Sequence, residues 1–69
     1  MNNRDKVLEW FQNNRGQVMS IWKARDVFRM NGGTFTKVVS VLREKGEPIS
    51  TDWFENPDTG KRFKGYFMH

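Results

Sequence analysis

The side chains of this sequence that are best suited to binding a ligand are hydroxyl and basic groups in a few short segments. Hydroxyl groups exchange hydrogen bonds with the edges of nucleic-acid bases, and ammonium and guanidinium groups bind phosphate. The segment 34–40 contains four such groups. The candidate DNA-binding residues are Thr34, Thr36, Lys37, Ser40 and Arg43, then Lys61 and Arg62, and, earlier in the chain, Arg25 and Arg29.

Residue types that support catalysis or metal binding are scarce. His69 is the only histidine, and the sequence has no cysteine, which removes thiolate zinc sites and disulfides. The acidic residues Asp52, Glu55 and Asp58 lie in or beside a segment of turn-forming residues, which explains them better than a metal site does. Gly32-Gly33 lacks the lysine and the spacing of a phosphate-binding loop. The sequence therefore predicts no enzyme, no metal and no cofactor.

Apolar periodicity predicts two helices in the first part of the chain. The first covers about 4–13, and Asn2 or Asn3 can cap its start. Its apolar stripe consists of Val7, Leu8, Trp10 and Phe11. The second covers about 21–30 with Ser20 as its cap, and its stripe consists of Ile21, Ala24, Val27 and Phe28. Between them, 17–19 is too short for a helix and is predicted as a brief strand.

A third helix and a hairpin follow. Asn31-Gly32-Gly33 predicts a tight turn, after which Thr34 caps a helix over about 35–45 that ends at Gly46. The apolar stripe of this helix consists of Phe35, Val38, Val39 and Leu42. The period then changes to two, and the turn-forming segment 56–60 separates two alternating runs, as in a β-hairpin. Both faces of the second run carry aromatic rings, so the pattern leaves open which face is buried.

Length and charge limit the classes of protein to which the chain can belong. Sixty-nine residues predict a single domain, 1–69, with a small core. The net charge is +4, and the basic residues are grouped: 1–46 carry nine basic and four acidic residues, 47–60 carry only four acidic ones, and 61–69 carry three basic ones. Grouped positive charge suits a polyanionic partner. With no membrane span or secretory pattern in view, the expected location is cytoplasmic.

The predicted order is helix, short strand, helix, glycine turn, helix, hairpin. Two helices joined by a tight turn form a helix-turn-helix, and a hairpin directly after them has the position of a wing. In the stretch from Thr34 to Gly46, and at the hairpin residues Ile49, Trp53, Gly60, Lys61, Arg62, Lys64 and Tyr66, the sequence resembles the winged helix-turn-helix family, most of all small phage and prophage-type members. The resemblance implies an α+β fold of three helices with a C-terminal hairpin wing.

We therefore predict a sequence-specific double-stranded DNA-binding protein that regulates transcription or has an accessory role on DNA, as the phage-type resemblance implies. The helix at about 34–45 enters the major groove, and the hairpin at about 49–68 contacts the DNA backbone. Lys37 binds a guanine edge or a phosphate, Val41 contacts a thymine methyl group, and Arg43 binds phosphate. Arg25 and Arg29 bind phosphates where the preceding helix crosses the backbone.

Other interpretations of the same residues remain open. The polar face of the third helix is also explained by solvation, and Lys61-Arg62 by the protection of an exposed strand edge. Trp22 projects away from its helix stripe and either folds over the first helix or the hairpin, or contacts a protein partner or a DNA sugar. A protein-interaction module without DNA binding is thus the alternative function. Single-strand binding through Phe63, Tyr66 and Phe67 is a third. The operator sequence and the oligomeric state are not predicted.

Overall fold

The computed structural model describes residues 2–69. In this range the fold is α+β, as predicted, with three helices followed by two strands. The helices are α1 (Asn3–Asn13), α2 (Ile21–Phe28) and α3 (Gly32–Glu44), and the strands are β1 (Ile49–Glu55) and β2 (Arg62–Met68). The strands pair antiparallel as a hairpin. Within these residues, no helix combines the length and the apolar character that a bilayer crossing needs.

A polar side chain caps the start of each helix. The Asn2 side chain accepts a hydrogen bond from the Asp5 N–H at 2.8 Å, and Ser20 Oγ accepts one from the Lys23 N–H at 3.1 Å. Both caps agree with the sequence prediction. At α3 the prediction of Thr34 was wrong, because Asn31 Oδ1 accepts from the Thr34 N–H at 2.8 Å. The helix therefore begins at Gly32, and Thr34 lies inside its first turn.

The connection between α2 and α3 is shorter than the sequence suggests. Helix α2 ends at Phe28, because Arg29 adopts a left-handed backbone conformation with φ of 58°. Helix α3 then starts three residues after Arg29, at Gly32, which packs against α2. A Cβ on Gly32 would lie 2.8 Å from Ile21 Cγ2, so only glycine permits this separation. Gly32 therefore serves close helix packing, and both glycines lie inside α3 instead of forming the turn.

The strand predicted at 17–19 is not seen; it is reduced to a single bridge between Met19 and Tyr66. These two residues exchange backbone hydrogen bonds of 2.7 and 2.9 Å, and the Gly16 N–H donates to the Met68 carbonyl at 2.9 Å. The pairing stops there because Ser20 already serves as the cap of α2, so the chain turns into a helix. Segment 16–19 still runs beside β2 and brings the start of α2 to the hairpin.

The hairpin contributes one face of its inner half to the core. Its register pairs Ile49 with Met68 and Thr51 with Tyr66, and the Ile49, Tyr66 and Met68 side chains are buried. This settles which face of β2 points inward. The core formed with the helices consists of Val7, Phe11, Met19, Ala24, Phe28, Met30, Phe35, Val39, Leu42, Ile49, Tyr66 and Met68. Since these residues reach no further than Tyr66 along β2, the outer half of the hairpin projects beyond the core.

Candidate nucleic-acid interface

Helix α3 presents a polar face to solvent. Phe35, Val39 and Leu42 are buried on one side, whereas Lys37 and Ser40 are exposed on the other. Thr36 is also exposed, and its hydroxyl donates to the Gly32 carbonyl at 2.5 Å. This bond occupies the hydroxyl proton of Thr36 and leaves its oxygen free to accept. The face therefore offers an ammonium group and two hydroxyl oxygens, and it agrees with the expectation that Lys37 and Ser40 point outward.

The edge of this face next to α1 is more enclosed than the sequence suggests. Thr34 and Val41 are half-buried, and Lys37 and Val41 line a groove with the N-terminal residues of α1, including Arg4. The backbone N–H of Thr34 is already bonded to Asn31. Thr34 is therefore poorly placed to contact a base or to offer its N–H to a phosphate. Arg4, which the sequence analysis did not select, adds a second basic side chain beside Lys37.

The outer half of the hairpin carries a cluster of basic residues. Lys61, Arg62 and Lys64 are all exposed. In the hairpin register Lys64 lies opposite Trp53, whose side chain is 62% exposed, and Arg62 lies opposite Glu55. The turn is held by its own hydrogen bonds, among them the Asn56 N–H to the Lys61 carbonyl at 2.8 Å. The basic groups thus lie on the outer half of the hairpin, a two-stranded basic arm whose turn is closed by hydrogen bonds.

The first turn of α2 contacts both the start of α3 and strand β2 of the hairpin. On one side, Ile21 packs against Gly32 at the start of α3. On the other, the Trp22 ring lies 5.5 Å from the Phe63 ring of β2, centroid to centroid. Trp22 therefore folds over the hairpin, one of the two positions that the sequence analysis left open, although 58% of it stays exposed. The start of α3 and the basic end of the hairpin accordingly lie on either side of the same helical turn.

The three remaining basic candidates are exposed around these elements. Arg25 lies on α2 one turn after Trp22, and spacing of three residues puts the two on the same side of the helix. Arg29 is the C-cap of α2, and Arg43 lies in the last turn of α3. Arg25 is thus the closest of the three in sequence to the turn that connects α3 with the hairpin.

Comparisons of the chain with models of protein families, with curated proteins and with solved structures find no match. The function must therefore be inferred from the geometry of these residues. In the described range 2–69, no three side chains of the metal-binding types His, Cys, Asp and Glu are grouped as a metal would need. The exposed groups that could bind a polyanion are the polar face of α3 and the basic residues of the outer hairpin.

Two side chains at this surface were missed or given little weight in the sequence analysis. Trp53 belongs to the face of β1 that also carries Ile49, so alternation alone marks it as buried. Lys64 was left out of the candidate DNA-binding residues because it is further from the turn than Lys61. Both line a cleft with Trp22 and Arg62. The length of the strand was the signal that could have shown this. A core this small covers only part of a seven-residue strand, so the residues nearer the turn project into solvent.

Proposed function

We propose that this protein binds double-stranded DNA as a winged helix-turn-helix domain, with α3 in the major groove and the hairpin against the backbone. Lys37, Ser40 and the Thr36 oxygen contact base edges, and Lys61 and Arg62 contact phosphates. Regulation of transcription, or an accessory role on DNA in a phage or prophage context, is the activity that suits such a domain. The phage context follows only from the sequence resemblance.

The observation that carries this proposal is that one turn of α2 contacts both the start of the helix with the exposed polar face and the strand with the exposed basic residues. If the polar face of α3 served only for solvation, no basic arm would be needed beside it. If the charged strand edge served only to protect the hairpin, no polar helix face would be needed beside it. Their connection through Ile21 and Trp22 is what a surface that follows a polyanion requires. Arg25, on the same side of α2 as Trp22, extends the positive charge between them.

The proposal predicts salt-dependent binding to duplex DNA. Fluorescence anisotropy with a labelled 20-base-pair duplex of mixed sequence measures the affinity at several salt concentrations. Each phosphate contact contributes a slope of about −0.9 to a plot of log K against log salt concentration. Reversing two contacts, Lys37→Glu with Arg62→Glu, is expected to weaken binding about tenfold or more and to reduce the slope by about 0.9, the contribution of the phosphate contact of Arg62.

The matched control reverses two exposed basic residues outside the proposed contacts, Lys6→Glu with Arg15→Glu, so that both double variants have the same net charge. Comparable losses in the two variants would show that net charge alone governs binding. The absence of salt-sensitive binding by the unmodified protein at micromolar concentration would refute the proposal. Sequence preference is tested by selection from a random duplex pool, in which Ser40→Ala is expected to change the enriched sequence.

A further inference from the structure

A cleft of about 270 Å³ lies between the start of α2 and the outer half of the hairpin. Its lining residues are Ile21, Trp22, Trp53, Arg62, Phe63 and Lys64. Trp22 and Trp53 are two of the most exposed large apolar side chains in the described part of the chain, at 58% and 62%. Single exposed apolar side chains need no explanation, but two exposed indole rings that line one cleft form an apolar patch of the kind that marks interaction sites.

The chemistry of the lining defines that occupant. The two tryptophans offer flat apolar faces, and Arg62 and Lys64 place positive charge beside them. A second, adjacent cleft at the hairpin tip is also lined by Trp22 and Arg62 and adds Lys61. The fitting ligand therefore combines a flat ring with a negatively charged chain that continues past it. A nucleotide in a single strand has both properties, since each base has an aromatic face and each linkage carries a phosphate.

We propose that this cleft binds an unpaired base of single-stranded DNA, which stacks on Trp53 and Trp22 while Arg62, Lys64 and Lys61 bind the adjacent phosphates. A planar base fits the volume of the cleft. The rings differ from those that the sequence suggested for strand binding, because Tyr66 is only 3% exposed and belongs to the core. The cleft shares Arg62 and Lys61 with the duplex site proposed above but uses no residue of α3, so substitutions in α3 separate the two proposals.

The test measures anisotropy of a fluorescein-labelled octathymidylate and of an octamer of abasic sites with the same number of phosphates. Stacking is expected to make octathymidylate bind about 5- to 100-fold more tightly than the abasic strand. Trp53→Ala removes this preference, whereas Trp53→Phe retains most of it because a ring remains. Trp10→Phe, at a half-buried ring of α1, is the control and leaves both affinities unchanged. Circular dichroism verifies that each variant is folded.

Three results would overturn the proposal. Equal affinity for the two strands, or an unchanged preference in Trp53→Ala, would mean that charge alone binds the strand. Tighter binding of an acidic decapeptide containing leucine than of octathymidylate would assign the cleft to a protein partner. Sedimentation showing a dimer that Trp53→Ala dissociates would assign it to a second copy of the chain. Lys37→Glu separates this proposal from the duplex site, because it is expected to weaken duplex binding and to leave octathymidylate binding unchanged.

Discussion

Replacing Gly65 by alanine is expected to destabilise the protein by about 1–3 kcal/mol, because the added methyl group has no room. The new Cβ would lie 2.5 Å from Val18 Cγ1 and 2.6 Å from Phe54 Cδ2. Non-bonded carbon atoms prefer about 3.5–4.0 Å, so both neighbours would have to retreat by roughly 1 Å. Val18 belongs to the segment beside β2, and Phe54 belongs to β1. The methyl group would therefore push apart the hairpin and the segment that anchors it.

The size of the effect follows from three contributions. Overpacking costs about 1–3 kcal/mol. If Phe54 moves away, its stacking on Phe63, with ring centroids 5.9 Å apart, is weakened, which costs about 0.5–1.5 kcal/mol. Alanine also restricts the unfolded chain, which offsets about 0.4–1 kcal/mol. For a domain of this size each kcal/mol corresponds to about 4–8 °C in Tm, so thermal unfolding should shift down by roughly 5–20 °C.

Gly33→Ala is the matched control, because the same substitution there meets only Asn31 Oδ1, at 3.5 Å, an ordinary contact. Gly33 lies within α3, where alanine is favoured over glycine by about 0.5–1 kcal/mol, so this variant is expected to be slightly more stable. Urea unfolding followed by circular dichroism measures both. Adding Val18→Ala to Gly65→Ala should recover part of the loss. If Gly65→Ala is as stable as the unmodified protein, the close contact of the hairpin with Val18 and Phe54 at Gly65 is refuted.

Further changes test the cap, the core and the interface. Asn31→Ala is expected to lose about 1 kcal/mol of stability, whereas Thr34→Ala loses less because Thr34 is not the cap; urea unfolding of both distinguishes the two. Phe35→Ala should cost about 3–5 kcal/mol, since its ring is fully buried between Phe28 and Tyr66, and Phe35→Leu should stay folded by circular dichroism. Arg25→Ala should reduce the salt slope of duplex binding by about 0.9 with no change in Tm; an unchanged slope would remove Arg25 from the interface.

Local chemistry explains why much of the fold was predictable. An asparagine or serine directly before an apolar stripe has few roles other than capping, so Asn2 and Ser20 marked two helix starts correctly. The period of the apolar residues also separated the buried side of α3 from the side that carries Lys37 and Ser40. The alternation after Pro48 identified both strands of the hairpin. In these cases the deciding interactions lie within about four residues along the chain.

The errors arose where a distant residue decides the local structure. Two glycines in a row are poor helix formers, so Asn31-Gly32-Gly33 was interpreted as a turn. Contact with Ile21, eleven residues earlier in the chain, makes Gly32 part of α3 instead. The strand at 17–19 failed for a related reason. Residue 19 does pair with β2, but the cap at Ser20 ends the pairing after one bridge, and no local pattern reveals which of two competing structures prevails.

The sequence by itself determined the three helices, the hairpin, the cap at Ser20, a cap at either Asn2 or Asn3, and the outward side of α3, because periodicity and capping depend on neighbours along the chain. Only the tertiary structure decided that Tyr66 and Met68 point inward and that Trp22 lies against Phe63. It also decided that Trp53 projects beyond the core. These outcomes depend on how far a small core extends beneath a hairpin, which is a property of the packed chain and not of any single segment.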